Sequence, residues 1–320
     1  MFKELLLSLP ANIFTKFNYL KQDYVGMNFN LNIFGNIFFG FGIAFGLILI
    51  SYFLGKKISN LLFKKEKKLN INYLLYIALG YITFSTGIAI LGFFSFLNPG
   101  VISLYLILII LISLYPFNKI RLQFNNIYTG IVKIINHLKI NKFVSIWLSL
   151  FVFIAFINLI NPEIREDQYH VDFPKIYLEQ QTTMIPPKEG LRVSASPLLS
   201  EMTYLVGIFL WSNESARYIY FIFYILTLLT LIEFSRLNSY KFSIYAPLLF
   251  ATAPVVIHET SSVYVDFQWI FFFLLSILVL IYNKKNTYST IGLSGLLMGA
   301  MLASKLWTIV FIPVSIFFII

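Results

Sequence analysis

Two short stretches of the chain hold most of the side chains with chemical potential. The first, E-D-Q-Y-H-V-D-F-P-K-I-Y-L-E at 166–179, brings Glu166, Asp167, His170 and Asp172 close together. The second, A-P-V-V-I-H-E-T-S-S-V-Y-V-D at 253–266, carries His258, Glu259, Tyr264 and Asp266, and Lys305 stands at the end of an apolar run. Carboxylates at such positions accept protons, and an ammonium steadies negative charge as it develops. Bland roles compete with these. Glu163, Asp172, Glu179 and Glu189 serve equally well as solvated loop residues, and Lys305 can snorkel. Asp266 can cap a helix, but it sits in S-S-V-Y-V-D-F-Q-W-I-F-F-F, where Asn or Ser would cap at a smaller desolvation cost. His170 and His258 lack the close spacing of a zinc site.

The elements that must position these groups are set by composition. Of 320 residues, 58% are hydrophobic and 12% charged, with 35 Phe, against ~25% charged in soluble proteins. That much apolar surface must face lipid or other helices. With no Cys, disulfides, thiolate metal sites and a Cys nucleophile are excluded. The net charge of +10 comes without a soluble basic domain, which argues against a nucleic-acid partner. Expected crossings are 31–54, 71–94, 101–117, 143–160, 216–234, 242–257, 267–282 and 290–305, continuous runs that favour helices over barrel strands. The first 30 residues look like an interfacial start, not a cleaved signal peptide. The run 306–320 stops without a polar cap, which suggests that the chain continues. Gly292, Gly295 and Gly299 are spaced for helix packing.

Lys and Arg set the orientation. Lys56, Lys57, Lys64, Lys65, Lys67 and Lys68 follow the first crossing; Lys119, Arg121, Lys133, Lys139 and Lys142 follow the third. Both groups belong in the cytoplasm, with 120–138 as a basic amphipathic helix on the inner leaflet. The next crossing delivers the acidic segment 161–195 outside. Of the 14 acids, only Glu4, Asp23 and Glu66 lie outside the range 163–266. The stretch 197–211 decides the remaining topology. If it crosses, Glu259 and Asp266 fall inside; if it lies in the outer interface, both stay outside, and Lys284 and Lys285 return to the cytoplasm. Its length, Pro197, Glu201 and the charge rule favour the interface.

These segments together resemble the C-type integral-membrane glycosyltransferases, in the branch of protein O-mannosyltransferases and aminoarabinose transferases. The likeness rests on 166–179, on S-P-L-L-S-E-M-T-Y-L at 196–205 with S-A-R-Y at 215–218, on 253–266, and on G-L-L-M-G-A-M-L-A-S-K-L-W at 295–307. It covers about 143–320, and it lies in order, spacing and membrane side rather than in any one motif. The family usually begins with the helix that enters the acidic loop, whereas here three crossings precede that helix, and the acid pair is Glu-Asp instead of Asp-Glu.

The resemblance implies an all-α, polytopic helix bundle whose long outer loop, 161–215, carries juxtamembrane helices. Residues 1–142 would form an N-terminal region with basic cytoplasmic loops, and 143–320 the catalytic module. The implied donor is a sugar on a polyprenyl phosphate, used at the outer face of a bacterial inner membrane. The acceptor would be a glycan, lipid or protein. Asp167 is the expected base, with Glu166 as its alternative. Asp266 would orient the sugar or acceptor, or share a divalent metal that the family uses variably. Lys305, with Arg192 or Arg217, would steady the leaving phosphate. Tyr169, His170, His258 and Glu259 would line the substrate site, and 197–211 would act as a lid. A transporter or lipid flippase is the main competing expectation. A non-catalytic membrane protein on the same fold is the other. The nearly pure apolar character of mid-span positions weighs against a transporter.

Overall fold

The computed structural model describes residues 31–62, 72–116, 120–139, 141–160, 169–184, 199–237, 241–282 and 288–317. The described residues form thirteen α-helices and two short 3-10 turns, with no strand. The helices are α1 (Leu31–Leu62), α2 (Asn72–Phe93), α3 (Pro99–Leu114), α4 (Ile120–Leu138), α5 (Lys142–Ile160), α6 (Tyr169–Gln180) and α7 (Leu199–Leu210). They continue with α8 (Asn213–Leu237), α9 (Ala246–Thr252), α10 (Pro254–Glu259), α11 (Asp266–Tyr282), α12 (Tyr288–Ser304) and α13 (Ile312–Phe317). The chain divides after Phe39, and Gly40–Ile320 forms one compact unit. An all-helical chain is what lipid demands, because only helices and closed barrels satisfy every backbone polar group within the membrane.

Among the described residues four helical segments are long and apolar enough to cross a membrane: Ile37–Leu62, Tyr73–Phe93, Lys142–Ile160 and Asn213–Leu237. This is a membrane protein. Other expected crossings are shorter. The 16 residues of α3 and the 17 of α11 and of α12 rise only ~24–26 Å, less than the ~30 Å of a hydrocarbon core. The expected span 242–257 is not one helix. A 3-10 turn, Lys241–Tyr245, leads into α9, which ends at Thr252, and Ala253 alone separates it from α10 at Pro254. Proline explains the break: Pro247 and Pro254 each sit in the first turn of a new helix, where their missing N–H costs nothing, and Pro254 pushes Ala253 into extended backbone.

Close backbone approach joins α1 to α2. A Cβ on Gly80 would lie 1.7 Å from the Ser51 carbonyl oxygen, and one on Gly55 would lie 1.8 Å from that of Tyr76. Only glycine permits this crossing. The glycines flagged for packing in α12 behave differently. A Cβ at Gly292, Gly295 or Gly299 meets nothing within 4 Å. Their spacing is right for packing, yet among the described residues none of the three is packed against a neighbouring helix.

The bundle has two polar ends. α8 connects them, with Tyr220 near one and Glu233 near the other, a separation of ~20 Å along a helix. At the basic end the Tyr73 hydroxyl donates to Glu233 (3.0 Å), which also pairs with Arg236 at 2.7 Å. His137 of α4 meets Ser235 at 3.2 Å, and the Asn141 amide donates to the Tyr245 hydroxyl at 3.3 Å. At the acidic end the Thr183 N–H donates to the Gly92 carbonyl and the Leu97 N–H to that of Gln181, both at 3.1 Å. The α2–α3 turn therefore lies beside the end of α6. The Asn158 amide, at the end of α5, reaches the Ile257 carbonyl at 3.5 Å. Among the described residues these contacts gather the start of α2 and the end of α8 at one end, and the ends of α2, α5, α6 and α10 at the other.

The 12 residues of α7 are too few to cross a membrane. Its setting differs from the expected interfacial lid. Every residue from Leu199 through Gly207 is buried, because α2, α6, α8 and α12 pack around it. Glu201, expected to favour the interface, is instead an interior carboxylate.

Gly80→Ala should destabilise the protein by at least ~1–3 kcal/mol, the cost of overpacking. Gly292→Ala should be neutral or slightly stabilising through helix propensity. Thermal unfolding of the two variants in detergent checks this, and equal melting temperatures would contradict the close crossing.

Candidate functional site

The sequence between the α9–α10 break and α11 folds into a tight turn whose polar groups are each held by a different helix. α10 ends at Glu259, and the Ser262 N–H donates back to the Glu259 carbonyl at 3.0 Å. The Tyr204 hydroxyl, from α7, donates to the Tyr264 carbonyl at 2.5 Å and accepts an N–H from the Gln268 amide of α11. The Tyr220 hydroxyl, from α8, donates to Glu259 Oε2 at 3.3 Å, and its ring stacks on Phe267 with centroids 4.6 Å apart. The turn is fixed from both sides.

Asp266 opens α11 and faces Lys305, the first residue beyond α12. Lys305 Nζ donates to Asp266 Oδ1 at 2.7 Å, and the Trp269 indole N–H donates to the same oxygen at 2.8 Å. The pair is only partly desolvated, with side chains 17% exposed for Asp266 and 35% for Lys305. Glu259 shares its field. Burial first, and then the negative charge of Asp266, push the Glu259 carboxyl up to about 7; the Tyr220 hydroxyl and Lys305 pull the other way. A carboxyl balanced near neutrality can take or give a proton under ordinary conditions.

The helix that follows the acidic loop reaches the same end. His170 lies in the first turn of α6, and its ring centroid is 6.3 Å from that of Tyr264. His170 Nδ1 meets Glu201 Oε1 at 2.7 Å, with both side chains almost fully buried. Asp172 is more exposed and pairs with Lys175 at 3.7 Å, a surface contact of small energetic weight.

The structure thus brings Glu259, Tyr264, Asp266, Lys305 and His170 to one end of the bundle. His258 is exposed next to Glu259. Arg217 is buried in α8, with its guanidinium 5.8 Å above the Tyr218 ring. Tyr169 begins α6. Glu166, Asp167 and Arg192 lie outside the described residues, and so does the expected approach of Asp167 to Asp266. Lys305, expected as a cation held for phosphate, is already paired with a carboxylate. Reasoning from sequence missed Trp269, Tyr220, Tyr204 and Gln268. One signal was present: Trp269 stands one helical turn after Asp266, the spacing at which side chains meet on a helix. Among the described residues no three His, Asp or Glu side chains are grouped to hold a metal ion.

Compared with protein-family models, curated proteins and solved structures, the chain finds no match.

Asp266→Asn should lower the pH at which Glu259 ionises, because it removes a neighbouring negative charge and releases Lys305. Infrared titration of the carboxyl band, assigned by its loss in Glu259→Gln, measures this; an unchanged midpoint would refute the coupling. Folding follows the same sign. The folded chain keeps the Glu259 proton that the unfolded chain releases above its ordinary 4.5. This contribution to stability is present below about 4.5 and is lost as pH rises through about 7.

Proposed function

We propose that this membrane protein transfers a sugar from a polyprenyl-phosphate-linked donor to an acceptor at its acidic end, at the outer face of a bacterial inner membrane. One observation carries the reading: the helix leaving the first acidic loop and the turn leading to Asp266 meet at one end, with His170 6.3 Å from Tyr264. The resemblance of 143–320 to the C-type glycosyltransferases supplies the chemistry.

In that chemistry Asp167 takes the proton from an acceptor hydroxyl, and the oxygen attacks the anomeric carbon. The bond from that carbon to the phosphate oxygen breaks, and its electron pair leaves on the lipid phosphate. Lys305 steadies the phosphate charge. Asp266, paired with Lys305 at 2.7 Å, positions the ammonium and keeps it in place before the donor arrives. Glu259 and His258 line the polar side of the site. Tyr169 and His170 border it from α6, and Arg192 and Arg217 supply further positive charge. The donor tail enters laterally from lipid, and the glycan, lipid or protein acceptor comes from water.

A specific observation favours transport as the second reading. Tyr81, Ser85, Glu201, Thr203 and Gln268 are polar and fully or almost fully buried within the bundle. Ion-coupled transporters also bury polar side chains between their helices.

Purified protein with polyprenyl-phosphate-linked hexose and, separately, pentose should release free polyprenyl phosphate in the presence of native membrane acceptors. Asp167→Asn should lower the rate by about 10²-fold or more without changing expression or topology. Failure of the wild type with both donors, or full activity in the variant, overturns the assignment.

A further inference from the structure

Proline decides how α3 ends. In an unbroken helix the amide of residue 116 would donate to the Ile112 carbonyl, but residue 116 is Pro and has no N–H. Tyr115 leaves the helix in extended backbone. The Ile112 carbonyl is instead taken up by the ammonium of Lys57 on α1, which also lies 5.8 Å from the centre of the Tyr115 ring. Capping explains why a cation stands here. It uses only one of the ammonium N–H groups, and a carbonyl and a ring offset only part of the charge. Lys175, Arg236 and Lys305 each have a carboxylate; among the described residues none pairs with Lys57. Just before Lys57, Gly55 packs on Tyr76 near the start of α2, so this cation belongs to the basic end.

α3 continues the site into lipid. Ile102, Leu106, Ile109 and Ser113 form a buried stripe at helical spacing. On that side the Tyr105 hydroxyl donates to the Phe84 carbonyl of α2 at 2.9 Å. Leu104, Leu108, Leu111 and Tyr115 form a second stripe on the other side, each more than half exposed. It rises ~16 Å along the helix, about the depth of one leaflet of hydrocarbon. At its foot Lys57, Leu111, Ile112 and Tyr115 line an open cleft of ≈ 380 Å³.

The occupant must suit an apolar wall one leaflet long and an ammonium at its end. A soluble anion has no use for the wall, and an uncharged lipid has none for the ammonium. A zwitterionic headgroup brings a cation of its own toward Lys57. Lys56 beside it, and Lys119 and Arg121 in the sequence that follows Tyr115, add to that repulsion.

We propose that Lys57, Tyr115 and the exposed stripe of α3 bind one anionic phospholipid. A phosphate oxygen accepts from the Lys57 ammonium and from the Tyr115 hydroxyl, and an acyl chain lies along Leu111, Leu108 and Leu104. The site is at the opposite end from Asp266 and holds whether or not the chain transfers sugar.

Native mass spectrometry of the purified full chain in detergent, titrated with phosphatidylglycerol, phosphatidylcholine or glycerol phosphate, tests this by resolving the first bound molecule. Phosphatidylglycerol should bind at least about 10-fold more tightly than phosphatidylcholine, and glycerol phosphate should not bind. Lys57→Gln should weaken the first phosphatidylglycerol by about 10-fold. Lys139→Gln, the same charge change at an exposed lysine of the basic end, should leave it unchanged. Tyr115→Phe keeps the cap on Ile112 and should weaken binding by about 5-fold; it decides the matter if Lys57→Gln does not fold. Equal affinity for the two lipids would mean an apolar surface coated by bulk lipid, and would overturn the proposal. Tight binding of glycerol phosphate would overturn it in favour of a soluble anion. Equal losses in Lys57→Gln and Lys139→Gln, or wild-type affinity in Tyr115→Phe, would overturn it as well.

Discussion

The ion pair between Asp266 and Lys305 organises the acidic end, and two antiparallel helices favour it. Asp266 is the first residue of α11, where helix amides present partial positive charge. Lys305 follows the last residue of α12, where carbonyls present partial negative charge. Each charge is therefore stabilised by its own helix end before the two meet at 2.7 Å. Partial exposure keeps the desolvation cost below that of a buried pair, and the Trp269 N–H adds a bond to the shared oxygen. Loss of either partner would release the mouth of the α11–α12 hairpin. The preceding turn, with Tyr264 and Glu259, would lose its nearest fixed point.

The opposite end solves a similar problem with a different inventory. Glu233 is only 1% exposed, a costly position for a carboxylate. It is offset by the Tyr73 hydroxyl and by Arg236 one turn along α8. α8 is fastened at both ends, by Glu233 to Tyr73 of α2 and by Tyr220 to Glu259 of α10 and the Phe267 ring of α11, so it cannot slide along its axis without breaking those contacts. The position of Tyr220, and through it of Glu259, follows from that restraint.

Much of this architecture was legible in the chain. Apolar run length placed the long helices, because a membrane imposes a minimum length and a backbone that satisfies itself. What escaped was decided by packing between helices. Length and Glu201 placed α7 at a surface, but neighbouring helices cover it on every side. The spacing of Gly295 and Gly299 fits a helix contact, yet spacing carries no information about whether a partner is present. At Gly55 and Gly80, where the partner is present, no local motif announces it. The candidate site was legible as a set of residues, but not as a set of bonds. Trp269 and Tyr220 are aromatics among many, and only three-dimensional approach separates them from the core.

Tyr204 joins the interior to the rim. Its hydroxyl accepts from the Gln268 amide, inside the bundle, and donates to the Tyr264 carbonyl on the turn. A hydroxyl that does both transmits polarisation: strengthening one bond strengthens the other in a low-dielectric setting. His170 gives a second link, since it touches Glu201 below and faces the Tyr264 ring above. The buried interior and the acidic turn are therefore tied by two separate links, one through Tyr204 and one through His170.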